Sequence, residues 1–285
     1  MDWQDTFSRI AAGFSGRCGI WFQDMASGEA VSLHGKERFR SASLIKLPLT
    51  LQMGELIEKG LYSLSEKRPI SPHNRVQGTG VFQFLNHDYV PTVAELLFFA
   101  IAETDNIATN EMVDMVGGLS KAQAYIDRTG LAMTFGRKMM DLAAASRGEE
   151  NYTTPEAVGL LLARLETARK SGTMNAGEAQ LWYALKMQQV RGKMPSVVPC
   201  EEFYDLHDRD IPAPGKVVVA NKTGDSWSVQ NDAGIFILPD GRSYVLVVCT
   251  DGAKDPQEGC ELIRTVSKRV YEKEIAGSRP SPFVP

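Results

Sequence analysis

Phe39-Arg40-Ser41-Ala42-Ser43-Leu44-Ile45-Lys46-Leu47-Pro48-Leu49 is the stretch on which the reading of this chain turns. It predicts the opening of a helix that carries a serine and a lysine three residues apart. Residues i and i+3 share a helix face, so Ser43 Oγ and Lys46 Nζ are expected to meet. A serine hydroxyl is a weak nucleophile until a base takes its proton, and an amine does that only when it is neutral. A free lysine is neutral in roughly one molecule in 2,500 at pH 7. Burial among Leu44, Ile45 and Leu47, with a second cation nearby, lowers a lysine pKa by up to ~3–5 units. Lys46 is therefore a candidate base, and a helix start at Ser43 favours developing negative charge.

Serine and lysine at this spacing also recur by accident of composition. Downstream, Thr104-Asp105-Asn106 and Lys222-Thr223-Gly224 follow in that order. The three elements resemble the SxxK, SDN and KTG motifs of class A β-lactamases and penicillin-binding proteins. Flanking segments extend the resemblance from about Cys18 to the last helix. Glu37-Arg38-Phe39 leads into the nucleophile helix, Thr104 to Asn110 matches an SDNxxxN helix start, and Thr153-Thr154-Pro155 matches the helix entry after an omega loop.

Pattern alone outlines the architecture. Residues 3–14 align Trp3, Phe7, Ile10, Ala11 and Phe14 on one helical face. Cys18–Phe22 and Glu29–Leu33 read as a hairpin, and Lys216–Asn221, Asp232–Leu238 and Ser243–Cys249 as three further strands, the last two closed by Pro239-Asp240-Gly241. Between them the chain is helical: Val93–Ala102, Asn106–Met115, Lys121–Arg128, Pro155–Thr167 behind a Thr154 cap, and Asn175–Met187. A last helix from Pro256 to about Ile275 turns Cys260, Ile263, Val266 and Val270 inward, and Gly277–Pro282 reads as a disordered tail. The expected fold class is α/β (α+β). A five-stranded antiparallel sheet, flanked by the terminal helices, is built from residues 1–50 and 213–285, and an all-helical subdomain, 51–212, is inserted with an omega-like loop at 134–154.

The 285 residues are 43% apolar and 23% charged with a formal net charge of −4, which points to a globular protein without an electrostatic footprint for nucleic acid or a polybasic membrane patch. No window nears the ~18 apolar residues of a membrane span. Cys18, Cys200, Cys249 and Cys260 are scattered, as are the four histidines, so no metal and no cofactor is expected. Met1-Asp2-Trp3-Gln4-Asp5 carries neither a basic nor an apolar signal region, so the sequence as it stands reads as cytoplasmic, and as periplasmic or secreted if a signal has been lost from it.

The resemblance assigns roles. Ser43 attacks a carbonyl and Lys46 takes its proton. Thr104 stands where the family has a serine that relays the proton to the leaving nitrogen; threonine keeps the hydroxyl but adds a methyl and fixes χ1. Asn106 is expected to hydrogen-bond the substrate amide and Lys46, while Asp105 and Asn110 hold the loop. Lys222 supplies a cation that keeps Lys46 neutral and binds an anionic substrate group, Thr223 hydrogen-bonds that group, and Gly224 permits close backbone approach. The backbone N–H groups of Ser43 and Asp225 form the oxyanion hole.

The chain also departs from the pattern. Class A enzymes carry an omega-loop glutamate that activates the deacylating water, and counting back from Thr153-Thr154-Pro155 without a gap puts Lys138 at that position. Arg137–Ala145 contains no glutamate, and Asp141 is its one carboxylate, hence a possible deacylation base; Glu149 and Glu150 read as solvated. Asp225 sets a negative charge beside Lys222, where a carboxylate-bearing drug is poorly accommodated, and no arginine follows near Asn231–Gly234. The reading is a serine hydrolase acylated on Ser43 that acts on a β-lactam or related amide. An esterase or peptidase of the D-Ala-D-Ala carboxypeptidase kind, and a penicillin-binding sensor that acylates without turnover, stand as alternatives. The partner is a small-molecule acyl substrate, with oligomeric state left open.

Overall fold

The computed structural model describes residues 2–207 and 210–276. Helix α1 (Trp3–Ala11) leads into strands β1 (Arg17–Asp24) and β2 (Ala30–Leu33). A two-residue strand, β3 (Phe39–Arg40), precedes a 3-10 turn at Ala42–Ile45 and helix α2 (Lys46–Glu58). Helices α3 (Val93–Ala102), α4 (Asn106–Met115), α5 (Leu119–Thr129) and α6 (Leu142–Ser146) follow. Strand β4 (Tyr152–Thr153) and helices α7 (Pro155–Ser171), α8 (Ala176–Lys186) and α9 (Phe203–Leu206) come next. The chain closes with β5 (Val218–Ser226), β6 (Val229–Ile237), β7 (Ser243–Asp251) and α10 (Pro256–Ala276). The Gly277–Pro282 tail of the sequence reading lies outside the described residues.

Five strands form one antiparallel sheet in the order β2-β1-β7-β6-β5, so the two ends of the chain meet at the β1–β7 pair. Side chains alternate between faces along each strand. Val219, Phe236, Leu246 and Val248 pack with Trp3 and Phe7 of α1 and Ile263, Val266 and Val270 of α10. Ala220, Ile235, Val245 and Val247 face Val158, Leu162 and Leu181 of α7 and α8. Helices therefore cover both faces, which is why β6 is buried along its whole length instead of alternating in and out. α2 packs against α8, α4, α5 and α3, and its Leu47, Leu49 and Met53 are buried. α2 crosses α8 at Gly54 and Gly177, where a Cβ on Gly54 would stand 2.2 Å from the Gly177 Cα. No described helix is long and apolar enough to cross a membrane.

Three differences from the sequence reading bear on the site. β5 does not end with Lys222-Thr223-Gly224, the motif expected to close a strand on the cleft; it continues to Ser226 and turns over Trp227-Ser228. Asn221, Lys222 and Thr223 are buried in it. β3 and β4 pair Phe39 with Thr153 and Arg40 with Tyr152, stitching the segment before Ser43 to the end of the loop at 134–154; strands this short leave no period to read. α1 ends at Ala11, leaving Phe14 half-buried beyond it.

Candidate active site

The i, i+3 relation of Ser43 and Lys46 is set by the 3-10 turn, in which such side chains eclipse, not by α2 itself. Ala42 enters the turn with φ +43°. Lys46 is fully buried, and its Nζ donates to the Thr104 carbonyl at 2.6 Å and to Asn106 Oδ1 at 3.1 Å, with longer contacts to Thr104 Oγ1 at 3.3 Å and the Asp105 carbonyl at 3.4 Å. Among the described residues none of its hydrogen bonds goes to Ser43 Oγ, and Ser43 lines the cleft. Burial, and after it the charge of Lys222, hold the Lys46 ammonium well below its usual pKa against an opposing pull from Asp105.

α4 presents the second motif. Asp105 is its N-cap, one oxygen accepting from Ala108 N at 2.9 Å and the other from Phe82 N at 2.8 Å. Thr104, just ahead, takes φ +51°, a conformation that a β-branched residue adopts only under constraint. Its carbonyl also accepts from Thr79 Oγ1 at 2.7 Å. Of the four non-glycine residues with positive φ among those described, Ala42, Thr104 and Met140 all line one cleft. Strain gathered in this way marks a working site.

β5 closes the opposite side. Lys222 is fully buried, its Nζ donates to the Thr223 carbonyl at 2.7 Å, and burial pushes its pKa down to about 7 despite the pull of Asp225 and Asp232. Thr223 Oγ1 is buried and has no hydrogen-bond partner among the described residues. Gly224 lies against the turn so tightly that a Cβ would stand 2.7 Å from the Ser41 carbonyl and 3.2 Å from Ser43 N. Asp225 pairs with Lys193, a buried lysine that also donates to the Asn231 carbonyl at 3.0 Å. Behind them, burial pushes the Asp232 carboxyl up to about 6; it accepts from Met194 N at 3.0 Å and Asn221 Nδ2 at 2.9 Å.

The fourth wall is the loop at 134–154. Lys138 turns away from the cleft to Asp114 at 2.5 Å and Asn74 Oδ1 at 2.8 Å. Met139, Met140 and Leu142 line the cleft in its place. Asn110 bonds both backbone groups of Met139, which holds this residue, one after Lys138, on the cleft wall. Asp141 is exposed and caps α6, its Oδ1 accepting from Ala144 N at 2.9 Å, and it is not among the lining residues. Glu150, read as solvated, is half-buried, lines the cleft and binds Arg137 through both oxygens at 3.0 and 3.1 Å. Arg40 and Asn151 complete an open cleft of about 390 Å3. No group of histidine, cysteine or acidic residues that could hold a metal occurs among the described residues.

A family model described as "Beta-lactamase enzyme family" matches residues 3–273. The chain belongs to the β-lactamase enzyme family. Extended-spectrum β-lactamase PER-1 of Pseudomonas aeruginosa is 23% identical over 259 residues, spanning 87% of this chain and 79% of that protein. In fold, the chain is similar to PBP-A, with a TM-score of 0.82 at 22% identity over 96% of each chain. It is similar also to an ancestral class A β-lactamase, with a TM-score of 0.80 at 22% identity over 95% of this chain and 100% of that one.

As a β-lactamase-like serine hydrolase, the protein gathers Ser43, Thr104, Asn106 and Asp225 on the cleft walls, with Lys46, Lys222 and Thr223 buried. Met139, Lys193, Arg40 and the Arg137–Glu150 pair went unread in the sequence. Lys193 sits in Gly192-Lys193-Met194-Pro195, which matches no motif, and only the folded position of β5 brings it to Asp225.

Proposed function

We propose that the protein forms an acyl-enzyme on Ser43 with β-lactams or related amides and releases the acyl group slowly. A neutral Lys46 has two N–H groups and one lone pair. The two shortest contacts, to the Thr104 carbonyl and Asn106 Oδ1, use both N–H groups and leave the lone pair for the Ser43 proton. Ser43 then attacks the carbonyl, the N–H groups of Ser43 and Asp225 hold the developing oxyanion, and the Thr104 hydroxyl passes the proton to the leaving nitrogen. Asn106 lines the cleft and would hydrogen-bond the substrate, while Gly224 lets β5 lie close against the turn that carries Ser43.

The observation that carries the slow release is the wall opposite Ser43. Met139, Met140 and Leu142 stand there, and Glu150 is engaged by Arg137, so among the described residues that wall offers no free carboxylate to activate water. Loss of a general base slows a step by ~10²–10⁴. Asp141 has no chemical part in this reading. The likeness to PBP-A, a mutant of which was solved as an acyl-enzyme complex with penicillin G, favours it.

The test is to mix the protein with excess penicillin G and follow its intact mass, with Ser43→Ala as control. A one-to-one adduct that persists after free drug is removed, and is missing in Ser43→Ala, is the expected result. An adduct that vanishes within seconds while drug is consumed would overturn slow release, and labelling of Ser43→Ala would overturn Ser43 as nucleophile.

A further inference from the structure

The charges along this cleft are matched before any substrate arrives. Arg40 holds both oxygens of Asp251 through Nε, at 3.2 and 3.1 Å, and donates to Ser228 Oγ at 2.6 Å. Arg137 forks onto both oxygens of Glu150 at 3.0 and 3.1 Å. Each of these guanidinium charges is thus already compensated by a carboxylate. Lys222 is fully buried and donates to the Thr223 carbonyl.

Of the charged side chains that line the cleft, Asp225 is the most exposed, with Arg40 next at 35%. Asp225 follows Gly224 directly, lines the cleft, and its side chain is 39% exposed, whereas that of Lys193, bonded to Oδ1, is only 5% exposed. Lys193 is the buried end of the pair and Asp225 its exposed end. A ligand in the cleft beside Asp225 therefore meets the negative end of the pair, and Oδ2 makes no hydrogen bond among the described residues. That oxygen accepts from an N–H or ammonium and opposes a carboxylate.

We propose that Asp225, pinned by Lys193, is a specificity-determining residue that turns away acyl donors carrying a carboxylate beside the scissile bond and selects neutral or amine-bearing esters and amides. The residue acts by both means of discrimination, a repulsive element against one class and an unsatisfied acceptor for the other. A peptide ending in a free carboxylate next to the cleaved amide is disfavoured for the same reason as a penicillin acid.

This inference rests on acylation of Ser43. Its test compares penicillin G with penicillin G methyl ester, measuring the second-order rate of Ser43 labelling by intact mass in the parent and in Asp225→Asn. Asparagine keeps an acceptor for Lys193 and keeps the backbone N–H. Buffer hydrolysis of each compound corrects for intrinsic reactivity. The expected result is a corrected preference for the ester of at least tenfold in the parent. In Asp225→Asn, the corrected ester-to-acid ratio should fall at least tenfold. An ester-to-acid ratio equal in the two proteins overturns the proposal while leaving the Ser43 reading intact. No label from either compound in either protein removes both. If Asp225→Asn does not fold, Lys193→Gln/Asp225→Asn, which removes both charges, is expected to give the same altered ratio, and a parental ratio there counts against the proposal.

Discussion

Asn110 holds Met139 by both of its backbone polar groups: Oδ1 accepts from the Met139 N–H at 2.8 Å and Nδ2 donates to the Met139 carbonyl at 3.2 Å. Asn110 is itself buried in α4, so the clasp fixes which residue of the loop looks into the cleft. Met139→Glu would put a carboxylate on that backbone. We expect the Ser43 adduct with penicillin G to shorten its lifetime by ~10²–10⁴, the range of general-base catalysis, and a chromogenic cephalosporin to turn over many times per protein. An unchanged lifetime in a folded Met139→Glu protein would mean that water reaches the acyl carbonyl from another side.

Lys46 acts as base only when neutral, so acylation should fall as pH drops through its lowered pKa. Because the charge of Lys222 helps to lower that pKa, Lys222→Met should move the acid limb of the acylation profile to higher pH. Lys46→Ala should cut acylation by ~10²–10⁴ across the range. Rates of adduct formation from pH 5 to 9 check all three, and a Lys46→Ala protein that acylates like the parent rules out the lysine.

Lys222 has a cost in stability that pH reveals. Its pKa of about 7 in the folded chain, against an ordinary 10.5, means that between those values the unfolded chain binds more protons than the native one. Stability therefore rises with pH through that window and is lowest below it. Lys222→Met should stabilise the protein at pH 7 by on the order of a few kcal/mol and flatten the pH dependence there. Urea titrations at pH 7 and 9.5 give the comparison; a parent equally stable at both would mean that Lys222 stays charged in the fold.

The parts of the site legible in the sequence are those that chemistry ties to short spacings. Ser43 and Lys46 are three apart, and Asp105 caps the helix that Asn106 begins. The five-stranded antiparallel sheet followed from strand patterning and turn signals. What escaped is non-local. The β3–β4 pair joins residues more than a hundred positions apart, and Lys193 reaches Asp225 only because β5 extends past its polar motif. That Met139 and not Lys138 lines the cleft has the same origin, since Asn110 from another helix holds the Met139 backbone.

α2 and α8 approach so closely at Gly54 and Gly177 that a methyl at either position meets the other's Cα within 2.5 Å. Gly54→Ala must push the helices apart, at about 1–3 kcal/mol for overpacking. Thermal unfolding measures it, and an unchanged midpoint would mean that the crossing is looser in solution.

Asp141 allows its two possible roles to be separated by substitutions at one position. As the cap of α6 it needs only a short side-chain acceptor, which asparagine supplies as well as aspartate. As a base it needs a carboxylate. Asp141→Asn should therefore leave both stability and the lifetime of the Ser43 adduct as they are, whereas Asp141→Ala should lose about 0.5–2 kcal/mol from the cap with the adduct lifetime still unchanged. The lifetime is the deciding measurement. If Asp141→Asn lengthens it tenfold or more, a carboxylate at this exposed position is working on the acyl-enzyme, and the loop must close further over Ser43 once acylated than it does in the free protein.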